Sequence, residues 1–98
     1  MSLLKPAEVA RRLKTLPGWS RKGRSIRRTF EFEGFPAAIT FVNRVARAAE
    51  RADHHPDIDV RWNKVTLVLS THSKGGLTDL DFAMAGSCSR ILSGLKVR

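Results

Sequence analysis

The sequence predicts an α+β fold of order αββαββα, with a four-stranded antiparallel sheet carrying helices on one face. Three observations predict it. Residues 25–33 and 57–71 contain runs that alternate apolar with polar side chains, as half-buried strands do. Between Pro36 and Asp53 the apolar residues recur at intervals of three and four, the stripe of a helix lying on a sheet. Turn and stop signals at Pro17-Gly18, Gly23, His55-Pro56 and Gly75-Gly76 then divide the chain into strand pairs flanked by helices, which is the α+β pattern.

In order, Pro6 to about Lys14 reads as a short helix opening on proline, with Val9, Leu13 and Leu16 toward the core. Pro17-Gly18 ends it. Trp19 to Lys22 and Ser25 to Glu33 form a hairpin around Gly23, Ile26, Arg28, Phe30 and Phe32 sharing one face. The long middle helix turns Ala38, Ile39, Val42, Val45, Ala46 and Ala49 inward and Asn43, Arg44, Arg47 and Arg51 outward. It stops near His54-His55-Pro56, because proline disfavours helical geometry in the residue before it. Asp57 to Trp62 and Lys64 to Thr71 make a second pair joined near Asn63-Lys64, with Ile58, Val60 and Trp62 matched to Val65, Leu67 and Leu69. His72 closes that strand. After a Ser73–Gly76 loop, Thr78 and Asp81 have the spacing of a capping box that starts a last helix through about Leu92.

With 98 residues, 42% of them hydrophobic, the chain is expected to be one domain over residues 1–98, small enough that association between subunits is plausible. No apolar run approaches the roughly 20 residues of a membrane helix, and the N-terminus has no apolar core of a secretory signal, so a cytoplasmic protein is expected. The single cysteine, Cys88, permits no intrachain disulfide and reads as a small buried residue. Net charge is +9, and residues 1–28 hold nine basic side chains against Glu8 alone. Such an end can steer anions or nucleic acid, or be a solvated surface. No reader motif accompanies it, and Trp19 is the one aromatic among its cations with a claim to exposure, which places nucleic acid below other partners.

All three histidines lie in two short segments, Glu50 to Asp57 and the end of the last strand: His54, His55 and His72. An imidazole ordinarily titrates near 6.5 and can give or take a proton at neutral pH, which suits acid–base work. Two other readings stand beside this. Three imidazoles can hold zinc, although the spacing matches no recognised ligand motif. A His-Pro helix stop can also be purely structural.

Glu50, His54-His55-Pro56, Trp62, His72 and Asp81 together resemble the signature of the pterin-4a-carbinolamine dehydratase family. Gly18-Trp19, Phe30-x-Phe32-x-x-Phe35, Asn43 to Ala46, Asn63 to Val65 and Ser70 to His72 extend the resemblance through most of the chain. Ile58 departs from it, since animal members commonly carry tryptophan there. The resemblance implies the same αββαββα fold and the dehydration of 4a-hydroxytetrahydropterin to quinonoid dihydropterin, which recycles the pterin of aromatic amino-acid hydroxylases. It implies no metal or organic cofactor. It makes His54 and His72 the general acid–base pair and His55 a residue that positions the pterin. Trp19 and Pro56 are expected to line the pocket as flat apolar surfaces. For Trp62 sheet packing is the expectation. Glu50, about one turn before His54, and Asp53, immediately before it, are expected to orient the imidazoles, while solvation of the helix surface accounts equally well for Asp53. Asp81 is divided between helix capping and contact with the His72 loop. By the same resemblance the protein forms homodimers or homotetramers, with Leu80, Met84, Cys88 and Ile91 of the last helix, or the middle helix, supplying the apolar contact. The other reading that the family offers is a non-catalytic dimerisation or assembly cofactor of the same fold.

Overall fold

The computed structural model of the chain describes residues 2–96. Its order is α1 (Pro6–Leu13), β1 (Ser20–Lys22), β2 (Ser25–Glu31), α2 (Phe35–Ala52), β3 (Asp57–Arg61), β4 (Lys64–Leu69), a 3-10 turn (His72–Lys74) and α3 (Asp79–Lys96). This is the predicted αββαββα succession. The four strands form one antiparallel sheet in the order β1-β2-β4-β3, so the two hairpins meet through their second strands.

Register follows from burial. Pairing Ile26 with Leu69 and Phe30 with Val65 puts the apolar members of β2 and β4 on one face, and slipping by one residue would turn all of them to solvent. That face is covered by α2 and α3, and the fully buried Ile26, Phe41, Val45, Val65, Leu67, Leu69 and Cys88 form the centre of the core. Phe41 joins the strands to the helix: its ring centroid lies 4.7 Å from that of Phe30 and 5.1 Å from that of Phe32. The opposite face carries Arg27, Thr29, Glu31, Asp57, Asp59 and Arg61 and is open. Gly18 makes the turn before β1. Its φ of +89° suits glycine, and a Cβ there would fall 2.7 Å from Arg28 Nε.

Several expectations are corrected. The buried side of α2 is Ala38, Phe41, Val45, Ala48 and Ala49, and Ala46 is exposed, because this helix packs against α3 as well as the sheet and its contact stripe is wider and rotated. Trp62 does not pack in the sheet: it sits at φ +53° in the two-residue turn between β3 and β4 and is 69% exposed. Its neighbour Asn63 is the buried member, whose side-chain amide donates to Phe32 O at 2.8 Å while Phe32 N–H donates to Asn63 O. The last strand ends at Leu69, and His72 opens the 3-10 turn, which an isolated bridge between Thr71 and Gly76 closes. Met84 and Cys88 are consumed by the chain's own core and cannot serve a subunit contact, with Leu80 and Ile91 half-buried. Among the described residues, the large apolar side chains that stay exposed are Leu3, Phe35, Ile58 and Trp62.

Candidate active site

The end of α2 fixes the first two histidines. Asp53 takes the left-handed conformation at φ 51°, ψ 42°, a region that aspartate enters more readily than most residues, and reverses the chain there. His54 N–H then bonds back to Ala49 O, the six-to-one closure typical of helix C-termini. Pro56 prevents any continuation of the helix. His54 is consequently turned inward and His55 outward.

His54 meets the start of α3. Its Nε2 lies 2.7 Å from Asp81 Oδ1, and Asp81 is fully buried. The second oxygen of Asp81 accepts from Thr71 Oγ1 at 2.8 Å and from Thr78 N–H at 2.9 Å. Since Thr71 gives its proton to Asp81, it accepts from Thr78 Oγ1 at 2.7 Å, which in turn accepts from Leu80 N–H at 3.2 Å. Asp81 therefore closes the predicted capping box and anchors a histidine at once, and the histidine it touches is His54 rather than His72. A carboxylate is an acceptor only, so Nε2 of His54 carries the hydrogen. Nδ1 has no protein partner among the described residues, and no buried side-chain nitrogen or oxygen is left unsatisfied, so Nδ1 reaches solvent and is the atom left for a ligand.

A cleft of about 280 Å³ opens at this place, lined by Asp53, His54, His55, Ser70, Thr71, His72, Ser73 and Leu80. The structure thus gathers the three histidines from the end of α2 and the end of β4 around one space. His72 is exposed and makes no side-chain hydrogen bond among the described residues. His55 Nε2 lies 2.5 Å from Glu50 Oε2, both side chains being more than half exposed, so the pair orients the ring while adding little stability. Asp53 lines the cleft, whereas Glu50 acts on His55 from outside it and Asp81 supports His54 from behind.

Two expected lining residues are elsewhere. Trp19 is buried in the core, edge-on to Phe30 with centroids 6.1 Å apart, and its indole N–H donates to Ser89 Oγ at 3.3 Å. Pro56 is half-buried and does not line the cleft. Thr71 and Thr78 are the participants that sequence reasoning missed as a site. Thr78 reads as a helix cap, and only its spacing of three from Asp81 hints that a carboxylate is being fixed. No group of three or more histidine, cysteine, aspartate or glutamate side chains among the described residues is arranged to hold a metal ion.

The fold is that of the pterin dehydratase structural class. A crystal structure titled transcriptional coactivator/pterin dehydratase, from Brucella melitensis, superposes with a TM-score of 0.89 at 36% identity, covering 92% of this chain and 98% of that one. The profile described as Pterin 4 alpha carbinolamine dehydratase matches residues 2–91, and the chain belongs to that family. A protein of Roseiflexus castenholzii with the provisional name pterin-4-alpha-carbinolamine dehydratase is 55% identical over 91 residues, covering 93% of this chain and 98% of its own. One of Nocardia farcinica with the same provisional name is 58% identical over 83 residues, covering 85% and 87%. The same fold at a TM-score of 0.67 and 19% identity occurs in a pterin dehydratase-like protein described as a RuBisCO assembly factor in the alpha-carboxysome, covering 76% of this chain and 88% of that one.

Proposed function

We propose that the protein dehydrates 4a-hydroxytetrahydropterin to quinonoid dihydropterin and water, and so recycles the pterin used by aromatic amino-acid hydroxylases. The observation that carries the reading is His54, tied through Nε2 to a buried carboxylate with Nδ1 left for a ligand, in one cleft with His55 and His72. The reaction breaks the C4a–O bond and forms a C4a=N5 double bond. A proton must reach the departing oxygen, and the proton on N5 must leave. The lone pair of His54 Nδ1 takes the N5 proton, and the carboxylate of Asp81 stabilises the imidazolium that results. His72, which has no competing side-chain partner among the described residues, acts in its imidazolium form and delivers a proton to the oxygen. His55, oriented by Glu50, positions the ring. Proton balance closes when the two imidazoles exchange through water between turnovers, and the step needs no metal or organic cofactor.

The working unit is the single domain 1–98, acting in the cytoplasm as a homodimer or homotetramer. A stopped-flow assay of carbinolamine decay tests the reading: purified protein treated with chelator accelerates the decay. Absence of acceleration, or acceleration lost on chelation and restored by zinc, would overturn it. A non-catalytic assembly role is the second reading, favoured by the assembly-factor neighbour of the same fold. That neighbour is only 19% identical, and the complete histidine set with its buried carboxylate favours catalysis here.

A further inference from the structure

On the side of the helices turned away from the sheet, α2 and α3 meet along a seam that opens into a groove of about 420 Å³. Its walls carry Arg44 and Arg51 from α2 and Arg90 from α3, and its floor includes Ala48 and Ile91. No acidic side chain lines it. Arg44, Ala48 and Arg51 are spaced by four and three and so form one stripe, and Ser87 accepts a hydrogen bond from Arg90 at 3.2 Å that steadies this guanidinium. None of the three arginines makes an ion pair among the described residues, a condition that they share with Arg21, Arg24, Arg27, Arg28 and Arg47; what sets them apart is that they line one groove. Glu50, the acid adjacent to Arg51 in sequence, is engaged by His55.

Three converging cations without a counter-charge repel one another, and each has a planar fork that fits phosphate oxygens in pairs. Buried Ala48 and half-buried Ile91 form an apolar strip between the arginines, while Arg51 and Arg90 are themselves exposed. Arg44 and Arg51 lie two turns apart on α2, about 10 Å along the axis at the backbone, with Arg90 on the other wall, so a chain of linked anionic groups can engage them more fully than a single anion. We propose that the α2–α3 seam binds a small oligoanion, a ligand carrying two or more linked phosphate groups. None of its lining residues lines the histidine cleft, and the proposal stands independently of the dehydratase reading.

A protein of charge +9 attracts polyanions in general, so the test must separate the groove from diffuse charge. Calorimetric titration of the full chain with sodium tripolyphosphate, at about 0.15 M salt, is compared between R44Q/R51Q/R90Q and the equal-charge control R21Q/R24Q/R27Q. The wild type is expected to bind one tripolyphosphate saturably, the groove variant at least about 10-fold more weakly, and the control within about 3-fold of wild type. Should the triple variant fail to fold by circular dichroism, R44Q and R90Q singly are each expected to weaken binding about 3-fold. Equal losses in groove and control variants, or no saturable binding at millimolar ligand, would overturn the proposal. So would a single-stranded oligonucleotide that binds more tightly than tripolyphosphate with a log–log salt slope steeper than about 2, the most that three arginines supply.

Discussion

At the scale of single residues, the position of His54 depends on hydroxyls that never face the ligand. The order Leu80 N–H, Thr78, Thr71, Asp81, His54 leaves each hydroxyl one partner to donate to, and the carboxylate cannot rotate without breaking its three bonds, to Thr71, Thr78 N–H and His54. Thr71→Val keeps the shape and removes the proton; it is expected to cost about 1–3 kcal/mol, read from the urea midpoint, because it leaves a buried acceptor short of a donor. General acid–base catalysis is worth about 10²–10⁴-fold, so His54→Ala and His72→Ala are each expected to lower kcat by roughly 10-fold or more with folding retained, and His55→Ala to act chiefly on KM. Wild-type rates in a folded His54→Ala/His72→Ala protein would sink the assignment. Cys88 has a different fate: burial pushes its thiol from the ordinary 9.0 up to about 12, with Arg28 pulling weakly the other way. The unfolded chain releases this proton near pH 9 and the folded one keeps it to about pH 12, so stability falls as pH rises across that window. Native protein at pH 8 should not react with a thiol reagent, and denaturation midpoints should drop above pH 9.

Helix α2 is the element on which the site turns. Its end combines a left-handed residue, a six-to-one bond and a proline, and this combination sends two adjacent histidines in opposite directions. Asp53→Val forces a β-branched side chain into that conformation and is expected to cost about 1–2 kcal/mol, whereas Asp53→Gly should cost less or nothing. Thermal unfolding of the two variants compares them directly, and equal stability would remove the backbone argument. The stop itself was legible, since His55-Pro56 admits little else. Which way each imidazole points was not, because that depends on the left-handed backbone of Asp53, a conformation that aspartate permits but does not dictate. The capping box of α3 was legible in the same way, while its second use as the anchor of His54 spans 27 residues and is invisible to local patterns.

The whole molecule leaves the outer edge of β3 without a partner strand, with Ile58 and Trp62 exposed beside it. Unpaired strand edges promote pairing with another chain, and closed symmetric association is the usual way to satisfy them. A dimer or tetramer at micromolar concentration is therefore expected, and Ile58→Lys should shift it toward the monomer. Light scattering after size exclusion measures both. A strictly monomeric wild type with full activity would show that neither catalysis nor stability requires a second subunit.

The sequence by itself determined the succession of elements, the faces of β2 and β4, the end of α2 and the grouping of the histidines into two segments. Each of these follows from local rules: periodicity, proline geometry and capping chemistry act within a few residues. Tertiary structure alone decided that Asp81 serves His54, that Trp19 belongs to the core instead of the cleft, that Trp62 is exposed in a turn, and that three arginines converge on the α2–α3 seam. Those outcomes depend on how helices rotate against a sheet, a choice made by the packing of the whole core around Phe41 and not by any segment alone.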